Sequence, residues 1–103
     1  MTGADGFVGG WLVPRLVGDG NGVVAATFSR GAARFEGAEQ VQLDVCDTES
    51  IRSVLDHGPF DAVVHLAAVA SGADALGDVG HAWEVNAAGT ARLASGIARG
   101  SDR

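Results

Sequence analysis

The residues best suited to chemistry stand at the start of the chain, where three glycines recur at three-residue steps. The stretch Thr2–Gly9 reads TGADGFVG and is followed at once by an apolar helical pattern. Gly3 can take a tight turn, Gly6 lets backbone N–H groups approach a pyrophosphate, and Gly9 lets the helix pack closely. The helix N-terminus would direct its free N–H groups and partial positive charge at the phosphates. The stretch therefore predicts a dinucleotide-binding loop. The alternative is an ordinary glycine-rich turn, since the chain holds 16 glycines.

A second candidate position follows the next predicted strand, Val23–Phe28. Ser29 and Arg30 come directly after it, where doubly wound folds contact the adenosine ribose. An acid there would bind the ribose hydroxyls of NAD, whereas an arginine can neutralise the 2′-phosphate of NADP. Because no acid occurs between Val23 and Arg34, the loop favours NADP as cofactor over NAD. A solvated loop arginine is the alternative.

Composition limits the classes of partner. The 103 residues suffice for one small domain, and a 47% hydrophobic content with 19% charged residues indicates a buried core. A net charge of −6 argues against a nucleic-acid partner, which requires a basic face. The single Cys46 excludes an internal disulfide or a cysteine metal cluster and fits a reducing cytoplasm. The three histidines lack metal-ligand spacing, and no apolar run indicates a signal peptide or a membrane span.

The elements that must position these residues alternate between helix and strand. Strands are predicted over residues 23–28, 39–43 and 61–68, helices over 7–17, 47–56 and 81–99, and a loop over 69–80. The strand over 61–68 is nearly all apolar and is therefore expected to be buried on both faces. The alternation predicts βαβ units of a Rossmann-type, doubly wound α/β fold with a parallel sheet. Only Met1 and Thr2 precede the first glycine. The first, central strand is thus expected to be missing or nearly so, and the chain to be truncated at both ends.

Apolar spacing also predicts which helix faces are buried. The residues assigned to these faces are Phe7, Val8, Trp11, Leu12 and Leu16 in the first helix, and Trp83, Ala87, Leu93, Ala94 and Ile97 in the last. Asp47 is expected to cap the helix over 47–56.

Four motifs occur in a fixed order. They are Thr2–Gly9 (T-G-x-x-G-F-x-G), Leu43–Asp47 (D-[VLI]-x-D), His65–Ala68 (H-x-A-A) and Val85–Thr90 (V-N-x-x-G-T). Together they resemble the extended short-chain dehydrogenase/reductases, the NAD(P)-dependent epimerase/dehydratase family that acts largely on nucleotide sugars. The resemblance extends from Thr2 to about Arg99. Residues 67–72 and 81–90 are most similar to the branch of GDP-mannose dehydratases and GDP-6-deoxymannose reductases.

The resemblance implies a role for each matched residue. Gly3, Gly6 and Gly9 would form the pyrophosphate turn, with Phe7 and Val8 supplying backbone N–H groups near it.

The later motifs would frame the nucleoside. Asp44 would accept a hydrogen bond from the adenine amino group, with Val45 against the ring; a turn residue at a strand end is the alternative for Asp44. Ala67 and Ala68 would line the ribose site, or pack as core alanines, and the two interpretations are compatible. Asn86 would tie the last helix to the sheet and help hold the site, or be a solvated helix residue.

The catalytic pair of that family is absent from the chain. In the family a Tyr, with its pKa lowered by a Lys four residues on, is the general acid/base, and a Ser or Thr binds the substrate oxygen. The chain has no Tyr and no Lys, and Ser71 lies too early for the hydroxyl role. No catalytic residue is therefore assigned. The lack of Lys also excludes a P-loop, and His65 is expected to pack and hydrogen-bond rather than to transfer protons.

These inferences predict the nucleotide-binding portion of an NAD(P)-dependent nucleotide-sugar epimerase, dehydratase or reductase. The chain alone is expected to show no turnover, because it lacks the Tyr and the Lys. It is also expected to bind dinucleotide poorly, because the sheet lacks its first strand. For the intact enzyme the resemblance implies a nucleotide-sugar substrate and a homodimer. The cysteine usage and the lack of a long apolar run favour a cytoplasmic location with no membrane partner. The alternative is a non-catalytic dinucleotide-binding or docking module.

Overall fold

A computed structural model of the chain describes residues 1–29, 35–69 and 72–100. Its helices are α1 (Phe7–Gly18), α2 (Thr48–Leu55), α3 (Gly72–Gly77), α4 (Val79–Trp83) and α5 (Thr90–Gly100), and its strands are β1 (Val24–Thr27) and β2 (Glu39–Gln42). A π-helical segment, Glu84–Gly89, joins α4 to α5. None of the helices in these ranges is long and apolar enough to cross a bilayer.

The sheet is parallel and small. β1 pairs with β2 along all four residues of each strand. On the opposite edge of β1, Thr2 forms parallel bridges to both Ala26 and His65. The order across the sheet is therefore β2, β1, the Met1–Thr2 stub and the segment around His65. This arrangement confirms the predicted α/β class and an incomplete Rossmann-type sheet.

Helices cover both faces of this sheet, and two core clusters mark the two sides. On one side Val13 of α1 packs with Ala4 and Ala25. On the other side Ile51 of α2 and Leu93 of α5 belong to the cluster that contains Ala26. Neighbouring strand residues point to opposite faces, so Ala25 and Ala26 belong to different cores.

The sequence located several elements within one or two residues. The helices predicted over 7–17 and 47–56 correspond to α1 and α2, and the first two predicted strands correspond to β1 and β2. Asp47 caps α2 as predicted, since its side chain accepts a hydrogen bond from the Glu49 amide at 3.0 Å.

The strand predicted over 61–68 is wrong in both its regularity and its burial. In this segment His65 alone forms a bridge, to Thr2, and Val63 is 39% exposed. A strand next to the sheet centre needs a backbone partner along its length. Here that partner is the Met1–Thr2 stub, whose backbone forms two hydrogen bonds with the segment, at Val64 and Leu66.

The region after residue 69 is more helical than predicted. α3 lies within the predicted loop, and the last helix begins at Val79, where Asp78 accepts a hydrogen bond from the His81 amide. The predicted apolar face of this helix is correct at Leu93 and Ile97, which pack in the core, and wrong at Trp83, which is 68% exposed while Ala82 and Gly89 are buried. A π-helical turn contains an extra residue, so it shifts the phase of the helix relative to the sheet.

The predicted apolar face of α1 is also correct only in part, since its two leucines, Leu12 and Leu16, are half-buried. Gly9 and Val13 are buried, whereas Phe7 is 86% and Trp11 74% exposed. A Cβ atom on Gly9 would lie 2.6 Å from the carbonyl carbon of Ala4. The helix therefore approaches the core through its smallest residue, and its large aromatic side chains point outward.

Candidate functional site

A cleft of about 730 Å³ opens where the carboxyl ends of the strands meet the N-terminus of α1. Nine residues that the sequence singled out line it: Gly3, Gly6, Phe7, Val8, Gly9, Asp44, Val45, Ala67 and Ala68. Its volume lies in the ordinary range for small-molecule sites. Ligands of open parallel sheets bind at this edge, in the crevice outside the strand ends.

The glycine loop has one position that admits no side chain. Gly3 has a φ of +60°, and a Cβ atom there would lie 2.7 Å from the Ala67 backbone nitrogen. Only glycine takes this conformation without strain and at this separation. The turn then closes through the Gly6 amide, which donates to the Gly3 carbonyl oxygen at 3.0 Å. Gly6 itself is less constrained, since its Cβ would meet that oxygen at 3.3 Å.

The N-terminus of α1 differs from those of α2 and α4. Asp47 and Asp78 cap the latter two helices through their side chains. The N-cap of α1 is Gly6, and within the described residues no side chain caps this helix and no acid lies in its first turn. The first residues of α1 line the cleft. An anion in the cleft would therefore meet uncapped amides and the positive end of the helix dipole.

The far end of the cleft is formed by the turn after β2. Asp44 holds this turn, because its Oδ1 accepts from the Cys46 amide at 2.9 Å and its own amide donates to the Ser50 hydroxyl oxygen at 2.9 Å. Val45 is 6% exposed and lines the cleft beside it. The alternative role of Asp44 as a turn residue is thus fulfilled. Its carboxylate still has acceptor capacity for a ligand.

Cys46 lines the same end of the cleft. Burial raises the pKa of its thiol, and the nearby charges of Asp44 and Glu84 raise it further. The thiol is therefore protonated and weakly nucleophilic near neutral pH. It places a single chemical reporter in the cleft wall.

Thr2 connects the glycine loop to the strand beside it. Its hydroxyl oxygen accepts from the amides of Leu66 and Ala67 at 3.0 and 3.1 Å and lies 2.6 Å from Nδ1 of His65. Nε2 of His65 lies 3.0 Å from the Thr90 hydroxyl, at the start of α5. These bonds hold Ala67 against the first turn of the loop. Burial lowers the pKa of His65.

Asn86 lies outside the cleft wall. Its side chain accepts from the Val69 amide at 2.7 Å and donates to the Val69 carbonyl oxygen at 3.0 Å. It thereby ties the π-helical segment to the backbone just after Ala68, where the sequence placed a tie between helix and sheet. Contact between Asn86 and a ligand stays a prediction.

The loop after β1 contributes less to the cleft than the sequence predicted. Ser29 is exposed and does not line the cleft; its carbonyl oxygen accepts from the Thr27 hydroxyl at 3.2 Å. Arg30 lies outside the described residues, so its proposed role in NADP recognition stays a prediction.

Eleven further residues line the cleft to which the sequence assigned no role in the site: Thr2, Asp5, Ala26, Phe28, Leu43, Cys46, Leu66, Val69, His81, Glu84 and Val85. The rule that strand ends surround the site could have located Phe28 and Cys46. His81 and Glu84 had no such signal, because their place depends on how the last helix docks. Among the described residues no group of three or more His, Cys, Asp or Glu is arranged to hold a metal ion.

Comparison with known proteins agrees with this geometry. The NAD dependent epimerase/dehydratase family matches residues 1–101. A UDP-glucose 4-epimerase from Mycolicibacterium smegmatis is 34% identical over 102 residues, which covers 91% of this chain and 32% of that protein. The structure of UDP-glucose 4-epimerase from Thermus thermophilus, in complex with NAD, matches with a TM-score of 0.87 and 26% identity over 95% of this chain and 32% of its own. The epimerase Mth375 from Methanothermobacter thermautotrophicus matches with a TM-score of 0.81 and 26% identity, over 92% and 30% of the two chains. The chain thus spans about a third of the length of these relatives.

Proposed function

The chain belongs to the NAD-dependent epimerase/dehydratase family, and from this premise we propose that it supplies the nucleotide-binding portion of an NAD(P)-dependent enzyme acting on a nucleotide sugar. The observation that carries the proposal is the uncapped N-terminus of α1, which opens into the cleft beside Gly6. A pyrophosphate there would accept hydrogen bonds from the amides of Phe7 and Val8.

The remaining walls of the cleft fit the adenosine end of such a ligand. Val45 offers an apolar surface to the base, and the Asp44 carboxylate offers an acceptor to its amino group. Ala67 and Ala68 place only methyl groups toward the ribose, which permits close approach. Asn86 supports this wall through Val69.

We propose NADP as the preferred dinucleotide, with NAD as the alternative. The support is the sequence after β1, where no acid is available for the ribose hydroxyls and Arg30 could pair with the 2′-phosphate. The Thermus thermophilus relative was solved with NAD, so the preference has to be tested directly.

The bound nicotinamide would supply hydride exchange with a sugar carbon. The residues of this chain bind and orient the nucleotide, and the 103 residues contain no Tyr or Lys for the proton transfer. We therefore expect no turnover from the chain by itself and only weak dinucleotide binding. For the intact enzyme we propose a nucleotide-sugar substrate, a homodimeric assembly and a cytoplasmic location. Assignment to the GDP-mannose dehydratase branch remains a further hypothesis beside the UDP-glucose relatives.

A second candidate function is a non-catalytic dinucleotide-binding or docking module. It is favoured by the large aromatic side chains exposed on helices, Phe7 at 86%, Trp11 at 74% and Trp83 at 68%, since such surfaces often mark interaction sites. The DNA on both sides of the reading frame discriminates between the two. An apolar strand encoded upstream and a Tyr-x-x-x-Lys motif encoded downstream would support the enzyme. Flanking stop codons together with a ribosome-binding site before Met1 would support the module.

Alkylation of Cys46, the single thiol of the chain, tests the proposed binding. Because Cys46 lines the cleft, millimolar NADP or NAD should slow its reaction with iodoacetamide. Gly6→Ala places a methyl group in the loop where the diphosphate would lie, and it should reduce this protection. Gly10→Ala is the matched control, since a Cβ atom there meets nothing within 4 Å. Absence of protection in the unaltered chain, or equal protection in both variants, would contradict the proposal.

A further inference from the structure

His65 lies between the hydroxyl groups of Thr2 and Thr90. The other hydrogen-bond partners of each hydroxyl determine whether that hydroxyl donates to the ring or accepts from it. A threonine hydroxyl can donate one hydrogen bond and accept two. Thr2 already accepts from the amides of Leu66 and Ala67. Its remaining capacity is to donate, so the contact of 2.6 Å to His65 requires an unprotonated Nδ1.

The second hydroxyl leads to the same tautomer independently. Thr90 donates its hydroxyl hydrogen to the Asn86 carbonyl oxygen at 2.8 Å. It can therefore only accept in its contact of 3.0 Å with His65, so Nε2 must carry the hydrogen. Both neighbours specify a neutral ring with the hydrogen on Nε2. A ring with its hydrogen on Nδ1 would leave both contacts without a complementary partner, and a charged ring would leave the contact with Thr2 without one.

We propose that His65, held in this one neutral tautomer, is a positioning residue for the cleft and makes its dinucleotide affinity sensitive to acid. The effect on affinity rests on the proposed function. The ring joins Thr2, at the entry to the glycine loop, to Thr90 at the start of α5, while Asn86 continues the connection to Val69. Glycine loop, strand end and last helix are thereby fixed relative to one another.

Protonation of His65 would break this connection. An N–H on Nδ1 would face the Thr2 oxygen, both of whose acceptor positions are taken by backbone amides. Either that contact or one of the amide bonds to Leu66 and Ala67 must then be lost, and Ala67 lines the cleft.

Charged neighbours do not explain the lowered pKa of His65. The titratable groups on the elements around His65 are the Met1 amino group, Asp5 of the glycine loop, Asp61 of its own segment, Glu84 of the π-helical segment, and Arg92 and Arg99 of α5. The Met1 amino group donates to the Val24 carbonyl oxygen, and Glu84 and Arg92 pair with each other. Burial lowers the pKa of His65, and no charged residue of the described segments contributes to that shift. Because the folded-state pKa lies below the unfolded value, stability should be full above about pH 6.5 and decline as the pH falls below it.

The test combines nitrogen NMR with binding at two pH values. In the full chain labelled with ¹⁵N-histidine, His65 should show limiting shifts for bare Nδ1 and protonated Nε2, with titration below the ordinary histidine range. His57→Gln and His81→Gln assign the three rings. A protonated Nδ1, or averaged shifts of exchanging tautomers, would overturn the proposal even if no dinucleotide bound at all.

NAD binding is then measured at about pH 7.5 and at the acidic pH at which the NMR titration shows His65 to be protonated. NAD is the probe because the phosphate monoester of NADP titrates within this range. The affinity of the unaltered chain and of His57→Gln should fall about fivefold in acid, the ordinary effect of one lost hydrogen bond. His65→Asn places an amide oxygen near the Nδ1 position and should show a flat profile. Equal profiles in His65→Asn and the unaltered chain would overturn the role of His65. Absence of binding at the higher pH even with millimolar NAD would instead refute the proposed function, and the NMR signature would still decide the tautomer.

Discussion

Replacing Gly9 with alanine tests the contact that brings α1 onto the glycine loop. The new Cβ atom would lie 2.6 Å from the carbonyl carbon and 2.7 Å from the Cα atom of Ala4. Both are backbone atoms of a residue with no exposed surface, so relief requires a shift of the helix or of the loop. Overpacking of this kind costs about 1–3 kcal/mol. Alanine offsets about 0.5–1 kcal/mol of that through its better helix propensity.

Gly10→Ala isolates the packing cost, because it lies next in the same helix and its Cβ atom would meet nothing within 4 Å. Both variants share the gain in helix propensity, so the difference between them is the overpacking cost of about 1–3 kcal/mol. Urea unfolding of the chain, followed by circular dichroism, measures it. With an m-value of about 1.5 kcal/mol/M, the midpoints should differ by about 1–2 M. Equal midpoints for Gly9→Ala and Gly10→Ala would refute the packing described for this loop.

Three further substitutions test other parts of the site. Asp44→Asn keeps an oxygen for the Cys46 amide but loses the carboxylate. The urea midpoint should therefore hardly change, while NADP affinity, measured through protection of Cys46, should fall about tenfold or more. An unchanged affinity would show that Asp44 does not bind the adenine. Gly89→Ala brings a Cβ atom 2.7 Å from Cγ2 of Val45, which is buried and rotationally stiff. It should lower the free energy of unfolding by about 1–2 kcal/mol and also lower nucleotide affinity. Gly77→Ala is the control: its Cβ atom meets nothing within 4 Å, so it should lower neither quantity. Arg30→Asp in a full-length version should reduce the NADP-to-NAD preference in fluorescence titrations; an unchanged ratio would show that another residue reads the ribose.

Local patterns located the elements whose neighbours are close in the sequence. The Asp47 cap, the apolar run of β1 and the alternating pattern of β2 depend on interactions within a few residues, and all three were found as predicted. The glycine spacing carried information in the same way, because the φ of +60° at Gly3 is a local backbone requirement.

The errors arose where a distant contact decides the outcome. Spacing assigned Trp11 to the buried face of α1, but the approach of Gly9 to Ala4 leaves the Trp11 side chain exposed. The last helix was displaced in phase by its π-helical segment, which places Gly89 against Val45. No periodicity within either helix encodes these contacts, since both depend on a partner elsewhere in the chain.

The same reason limited the description of the site. The sequence identified the residues around the proposed phosphate and adenine positions, because they follow strand ends in recognisable motifs. It assigned His65 only a packing and hydrogen-bonding role, since the partners that fix its tautomer, Thr2 and Thr90, lie 63 and 25 positions away.

The central claim is that the glycine loop and the N-terminus of α1 bind a diphosphate, and a titration of the ¹⁵N-labelled chain with ADP-ribose tests it most directly. The account predicts that the amide signals of Gly6, Phe7 and Val8 move the most, followed by those around Asp44 and Ala67. Signals of Gly20 and Arg99, which do not line the cleft, should stay in place. Amide shifts concentrated away from the cleft, with the loop signals unmoved at saturation, would contradict the account.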